Sequence, residues 1–190
     1  YLFTKDGERY LDFGMGIAVN SLGHCNPKLI DVLTGQANRL WHTSNLYNTE
    51  PSEQLANKLV ASTFADRVFF CNSGTEAIEC GFKAIRRYFH SKDLGHKNRI
   101  VSMSGAFHGR SLAAIASAAN PVHCEGFLVG DPGFDQAEFG NFESLLCAVN
   151  ENTAGIIIEP VQGEGGISVA GIEYLKAIRE LCDSHNILLM

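Results

Sequence analysis

Three short stretches carry the side chains best suited to chemistry. They are Asn72-Ser73-Gly74-Thr75, Ser104-Gly105-Ala106-Phe107-His108-Gly109-Arg110 and Glu159-Pro160-Val161-Gln162-Gly163-Glu164-Gly165-Gly166. The first leads from the apolar run Val68 to Cys71 into a helical pattern. Small residues at a helix start leave backbone N–H groups uncovered, at the positive end of the helix dipole. Gly74 lets an anion approach the backbone, and Ser73 and Thr75 add hydroxyls, so the stretch can cradle a phosphate. The same pattern also suits an ordinary capped helix, with Ser73 or Thr75 as the cap. Neither G-x-x-x-x-G-K-[ST] nor a G-x-G-x-x-G after a strand is present.

In the second stretch, Phe107 lies in a glycine-flanked loop, a poor place for a core residue but a good one for stacking on a flat ring. Arg110 can take a carboxylate with both arms of its guanidinium. Each alone also reads as a partly buried Phe and a solvated Arg. In the third, Glu159 directly follows Ile156-Ile157-Ile158, so an acid is expected close to buried surroundings, where it needs a partner or a role. Glu164 stands five positions on, across a glycine-rich turn that would equally suit exposed acids.

These stretches need elements to hold them. From residue 66 the rhythm is strand, loop, helix. Strands are expected at Val68–Cys71, Arg99–Met103, Phe127–Val129, Gly155–Ile158 and Ile187–Met190, and helices at Thr75–His90, Phe142–Val149 and Gly171–His185. Between them lies a small-residue run, Leu112–Ala119. Ile78, Phe82, Ile85 and Phe89 mark the buried face of the first helix, and Glu79 and Lys83 are spaced to pair along it. Such alternation implies right-handed crossovers and an α/β fold with a mainly parallel sheet and helices on both faces. Ligands in open parallel sheets bind outside the carboxyl ends of the strands, where all three stretches fall. Before residue 66, a hairpin turns at Asp6-Gly7, residues 14–25 are loop-rich, Asn26-Pro27 opens a helix, and Pro51–Phe64 forms another. Leu29, Ile30, Leu33, Ala37 and Leu40 on the first, and Leu55, Leu59 and Val60 on the second, are spaced for an inner stripe.

The bulk properties narrow the partners. The chain has 190 residues, 45% hydrophobic, with a net charge of -6. There is no basic stripe for nucleic acid, no apolar run near the ~20 residues that span a bilayer, and no secretory leader pattern. Cys25, Cys71, Cys80, Cys124, Cys147 and Cys182 are scattered without a C-x-x-C pair. They read as reduced, core-filling thiols of a cytoplasmic protein, and no metal site is expected. The start at Tyr1 and the end in the apolar Ile187–Met190 suggest a piece of a longer protein.

Taken in order, "HTSNLY" (His42–Tyr47), "NSGTEA" (Asn72–Ala77), "FHGR" (Phe107–Arg110) and "EPVQGEGG" (Glu159–Gly166) resemble the motifs of class-III, fold-type-I aminotransferases that depend on pyridoxal 5′-phosphate (PLP). The likeness runs from Tyr1 to Met190 and looks like the N-terminal half of such an enzyme, with 1–45 part of the small domain and 46–190 the first part of the large one. The resemblance implies that Ser73, Gly74 and Thr75 hold the cofactor phosphate, Phe107 stacks on the pyridine and Glu159 supports the ring side. It implies that Arg110 holds the donor carboxylate. Asn45 and Tyr47 would lie near the substrate mouth. Glu164 resembles the acid that pairs with a distant arginine and releases it when 2-oxoglutarate enters. Ornithine-specific relatives tend to carry Trp where His108 stands, so "FHGR" favours the acetylornithine branch. The implied reaction transfers the amino group of N2-acetylornithine to 2-oxoglutarate, in arginine biosynthesis, by a cytoplasmic homodimer. Ornithine, succinylornithine and 4-aminobutyrate are alternative donors, and a non-catalytic phosphate-binding α/β module is the alternative outside catalysis. The family's Schiff-base lysine, its ring-nitrogen Asp and the arginine partner of Glu164 are expected beyond residue 190. No lysine from Lys5 to Lys176 matches, so the 190 residues alone are expected not to transaminate.

Overall fold

The computed structural model describes residues 1–127 and 130–190. Backbone contacts group these into two compact units, Tyr1–Val68 and Phe69–Met190.

The first unit opens with the expected hairpin, β1 (Leu2–Phe3) against β2 (Arg9–Tyr10), antiparallel with Leu2 opposite Tyr10. Gly7 takes the positive φ that its turn requires. Met15–Ala18, labelled α1, is one irregular turn with positive φ at every residue. Helix α2 (Pro27–Ala37) starts as its sequence dictates, with Asn26 Oδ1 accepting from the Lys28 N–H at 3.1 Å and Pro27 in the first turn. Helix α3 spans Glu50–Ser62. The expected inner stripes stay uncovered: Leu29, Ile30, Leu33, Leu40, Leu55 and Leu59 are exposed, and among the described residues this unit buries no side chain. A short hairpin and two helices supply no second layer over these faces.

The second unit is the expected α/β layer structure. Its sheet runs in the order β4 (Phe134–Ala137), β3 (Arg99–Met103), β5 (Thr153–Ile157), β8 (Leu188–Leu189), all parallel. On one face, Val101, Met103, Ile156, Ile178, Leu181 and Cys182 pack with Leu145, which places α7 (Phe142–Ala148) and α8 (Ile172–His185) there. On the other, Phe82, Ile85 and Phe89 of α4 (Gly74–His90) cover Ile100, Ala154 and Ile157. The pairing register shifts between Arg99 and Ile100, so Ala154 and Ile157 share a face. The small-residue run forms a helix, α5 (Leu112–Ala118), whose Ala and Ser side chains allow deep burial. A single turn, α6 (Pro121–Cys124), follows. The third stretch forms its own hairpin, β6 (Val161–Gln162) with β7 (Ser168–Val169).

Several expectations are corrected here. Residues 68–71 form no strand, because no described strand offers them a ladder, and Phe69 and Phe70 are exposed. One of the sheet's two edge strands is Phe134–Ala137, which the sequence reading missed. The strand expected at Phe127–Val129 falls partly on residues 128 and 129, which lie outside the described residues, while Phe127 sits in a turn. Glu79 forms no ion pair with Lys83 and accepts instead from Ser111 Oγ at 2.5 Å, tying α4 to the start of α5. All six cysteines are free, but Cys25, Cys71 and Cys147 are exposed and only Cys182 is fully buried, so most do not fill the core.

Candidate active site

The N-terminus of α4 is built by its own side chains. Ser73 is the cap, its Oγ accepting from the Glu76 N–H at 3.2 Å. Glu76 folds back, its carboxylate accepting from the Asn72 N–H at 2.6 Å. This approximates the reciprocal S-x-x-E arrangement, a pattern the sequence contains but that the sequence reading passed over. The cap hydroxyl is thereby engaged. The backbone N–H groups of Gly74 and Thr75, in the first helical turn, have no acceptor among the described residues, nor does the Thr75 hydroxyl. A side-chain carbon added at Gly74 would meet nothing within 4 Å, so the space beside Gly74 is open.

The second loop comes directly to this helix start. Gly109, at φ +120°, lies so close to Thr75 that a side chain there would overlap the Thr75 hydroxyl. Only glycine combines that backbone angle with that approach. Phe107 is 38% exposed, as its loop position implied. Its ring stands edge-on to His123, and the Arg110 guanidinium lies 5.7 Å from the ring centre. Arg110 is exposed and forms no ion pair among the described residues, leaving its donors free for an anion. His108 points the other way. It is buried, with Nε2 3.3 Å from Ser102 Oγ on β3, and burial holds its pKa below the ordinary imidazole value.

The third loop clamps the second. Glu159 Oε2 accepts from the Phe107 N–H at 3.1 Å, and the buried Gln162 donates Nε2 to the Ser104 carbonyl at 3.0 Å. Burial raises the pKa of Glu159, the Phe107 N–H opposes that rise, and the negative charge of Glu164 adds to it. The acid expected to need a partner has one. Glu164 itself is exposed on the hairpin turn. The sequence reading missed Gln162, Ser102, Glu79 and Ser111, which hold the loops. Asn45 and Tyr47 belong to the first unit and are exposed there.

Carboxyl ends of parallel strands, free helix-start amides, a half-exposed aromatic ring and an unpaired guanidinium thus gather in one unit. The class-III aminotransferase family matches the whole of residues 1–190. The chain belongs to that family. It is 52% identical over 190 residues to acetylornithine aminotransferase of Rhodobacter capsulatus and 50% identical to that of Agrobacterium fabrum. In both cases the alignment covers all of this chain and 48% of the relative, so the chain spans about half the length of the curated relatives it matches. Among solved structures, N-acetylornithine aminotransferase from Stenotrophomonas maltophilia superposes with a TM-score of 0.81 at 36% identity, over 98% of this chain and 46% of that one. Ornithine aminotransferase from Toxoplasma gondii, whose active site holds PLP at partial occupancy, superposes with a TM-score of 0.90 at 30% identity, over 98% and 45%. The expected fold-type-I architecture is therefore present in this class-III aminotransferase chain.

Proposed function

We propose that the protein transfers the amino group of N2-acetylornithine to 2-oxoglutarate with the help of PLP, giving N-acetylglutamate 5-semialdehyde and glutamate. The observation that carries the reading is the meeting of the Gly109 backbone with Thr75, which brings the loop that carries Phe107 onto a helix start with free amides. The residues present fit the cofactor. The open space at Gly74, the unpartnered Gly74 and Thr75 N–H groups and the Thr75 hydroxyl suit a phosphate, with Ser73 holding the helix start in place. Phe107 offers a half-exposed ring for a pyridine. When bound, PLP supplies the electron sink that stabilises the charge left as the donor loses its α-proton.

The chain's own residues bind and orient. Arg110 would receive the donor α-carboxylate bidentately, fixing which bond to the α-carbon faces the ring. Glu164 is exposed and forms no ion pair among the described residues, and on this reading it would meet an arginine outside residues 1–190 and release it for a dicarboxylate acceptor. Glu159 closes the ring side of the site through its bond to the Phe107 N–H. Asn45 and Tyr47 are proposed to line the substrate mouth. Relatives 50% and 52% identical are named for acetylornithine, and His108 agrees with that branch, which favours this donor over ornithine, succinylornithine or 4-aminobutyrate. A cytoplasmic homodimer acting in arginine biosynthesis completes the proposal.

Intact mass after incubation of the full-length protein with PLP and borohydride tests it. One reduced pyridoxyl group on a lysine outside residues 1–190, with faster turnover of N2-acetylornithine than of ornithine, is expected. A full-length protein that takes up no pyridoxyl group, yet melts higher with a nucleotide, would be a phosphate-binding module instead.

A further inference from the structure

Most of the loop that carries Phe107 has few ties of its own. Between Ser104 and Gly109, the backbone makes one bond to β4, from the Ser104 N–H to the Ala137 carbonyl at 2.8 Å, and one short turn, from the Ala106 N–H to the Met103 carbonyl at 3.3 Å. His108 roots the loop's far end on Ser102. The remaining ties come from the third loop, at two points: Gln162 at the Ser104 carbonyl and Glu159 at the Phe107 N–H. Gln162 is buried on the β6–β7 hairpin and its amide is bonded to the Ser104 carbonyl, so that end is fixed. Glu159 is only half-buried, and its bond is the one made by the ring-bearing residue itself.

We propose that Glu159 is a positioning residue that sets the Phe107 ring by accepting its backbone N–H, and that its hydrogen-bonding oxygen, rather than its charge, is what the site requires. A charge acting directly on a bound ring would need the carboxylate to face that ring. Here one carboxylate oxygen is already committed to the loop backbone. An amide-bearing side chain of the same length can accept from the same N–H, whereas a thioether of similar length is only a weak acceptor. The inference rests on the PLP reading given above, but the loop contact can be tested without the cofactor.

The experiment compares wild-type, Glu159→Gln and Glu159→Met in the full-length protein. Amide hydrogen exchange at Phe107 is followed without cofactor, and the PLP dissociation constant is measured by equilibrium binding. Protection at Phe107 is expected in wild-type and Glu159→Gln and lost in Glu159→Met. The PLP dissociation constant should rise about tenfold in Glu159→Met, the scale of one lost hydrogen bond, and stay within about threefold of wild-type in Glu159→Gln. If Glu159→Gln weakens PLP as much as Glu159→Met, the charge itself is required and the proposal falls. Equal protection of Phe107 in all three proteins also overturns it. A wild-type protein with a protected Phe107 amide but no affinity for PLP would overturn the cofactor reading alone and leave the positioning contact standing.

Discussion

At the scale of single residues, His108 and Arg110 show how neighbours in one motif divide their work. His108 is buried and its pKa is depressed by desolvation, so the folded protein resists a proton that the unfolded chain accepts. As pH falls below the ordinary value of about 6.5, the unfolded state binds more protons and stability drops, until the folded-state value is passed. His108→Gln keeps a hydrogen-bonding group toward Ser102 without a titrating ring. Urea unfolding from about pH 7.5 to 5 should therefore show a shallower loss of stability in the variant. Arg110 is exposed, and Arg110→Ala should leave PLP bound while lowering kcat/KM for the donor by ~10²-fold, the order of losing a bidentate anchor. Unchanged donor kinetics would remove Arg110 from the site. Phe107 and Arg110 were legible in the sequence because a large aromatic and an unpaired cation in a glycine-flanked loop have no core role to fill. Gln162 and Ser102 were not legible, because a Gln or a Ser has no sequence signature for the carbonyl or ring nitrogen it will meet across 58 residues or within a loop.

At the scale of elements, the helix start and the glycines are the most sensitive points. Ser73→Ala removes the cap of α4 and should cost about 1 kcal/mol of stability in thermal unfolding. Gly155 lies on the central strand β5, where an added carbon would press on the Leu188 carbonyl and Ile85. Because backbone cannot give way as a flexible side chain can, Gly155→Ala should lower stability by ~1–3 kcal/mol. Among the elements themselves, α4, β3, β5 and α8 were readable because their apolar periodicity is strong and both faces of their sheet are covered. Strand β4 was not, since Phe134-Asp135-Gln136-Ala137 puts Asp135 toward Arg99 at the sheet edge and gives Gln136 a bond to the Ser117 carbonyl. The apolar Val68–Cys71 misled in the opposite sense: a β-prone run becomes a strand only where a neighbour supplies a ladder.

At the scale of the whole molecule, the two units differ in what they bury. The second has two apolar clusters on either side of one sheet, whereas the first leaves the faces of α2 and α3 exposed. Periodicity showed that these stripes exist but not what covers them, since a stripe in sequence is the same whether its partner is near or absent. The parallel sheet order β4-β3-β5-β8 has a temporal consequence as well. During synthesis, β3 emerges with no neighbour, and the Phe107 loop stays without its cross-loop ties until Glu159 and Gln162 have left the ribosome. The nascent chain therefore carries its most chemically exposed loop unsecured while more than fifty further residues are made. Parallel pairings of this kind must close long loops before they are rewarded. Pulsed protease on ribosome-stalled chains should cut within 104–110 when that loop has left the ribosome but the β6–β7 hairpin has not, and much less once the hairpin has emerged as well.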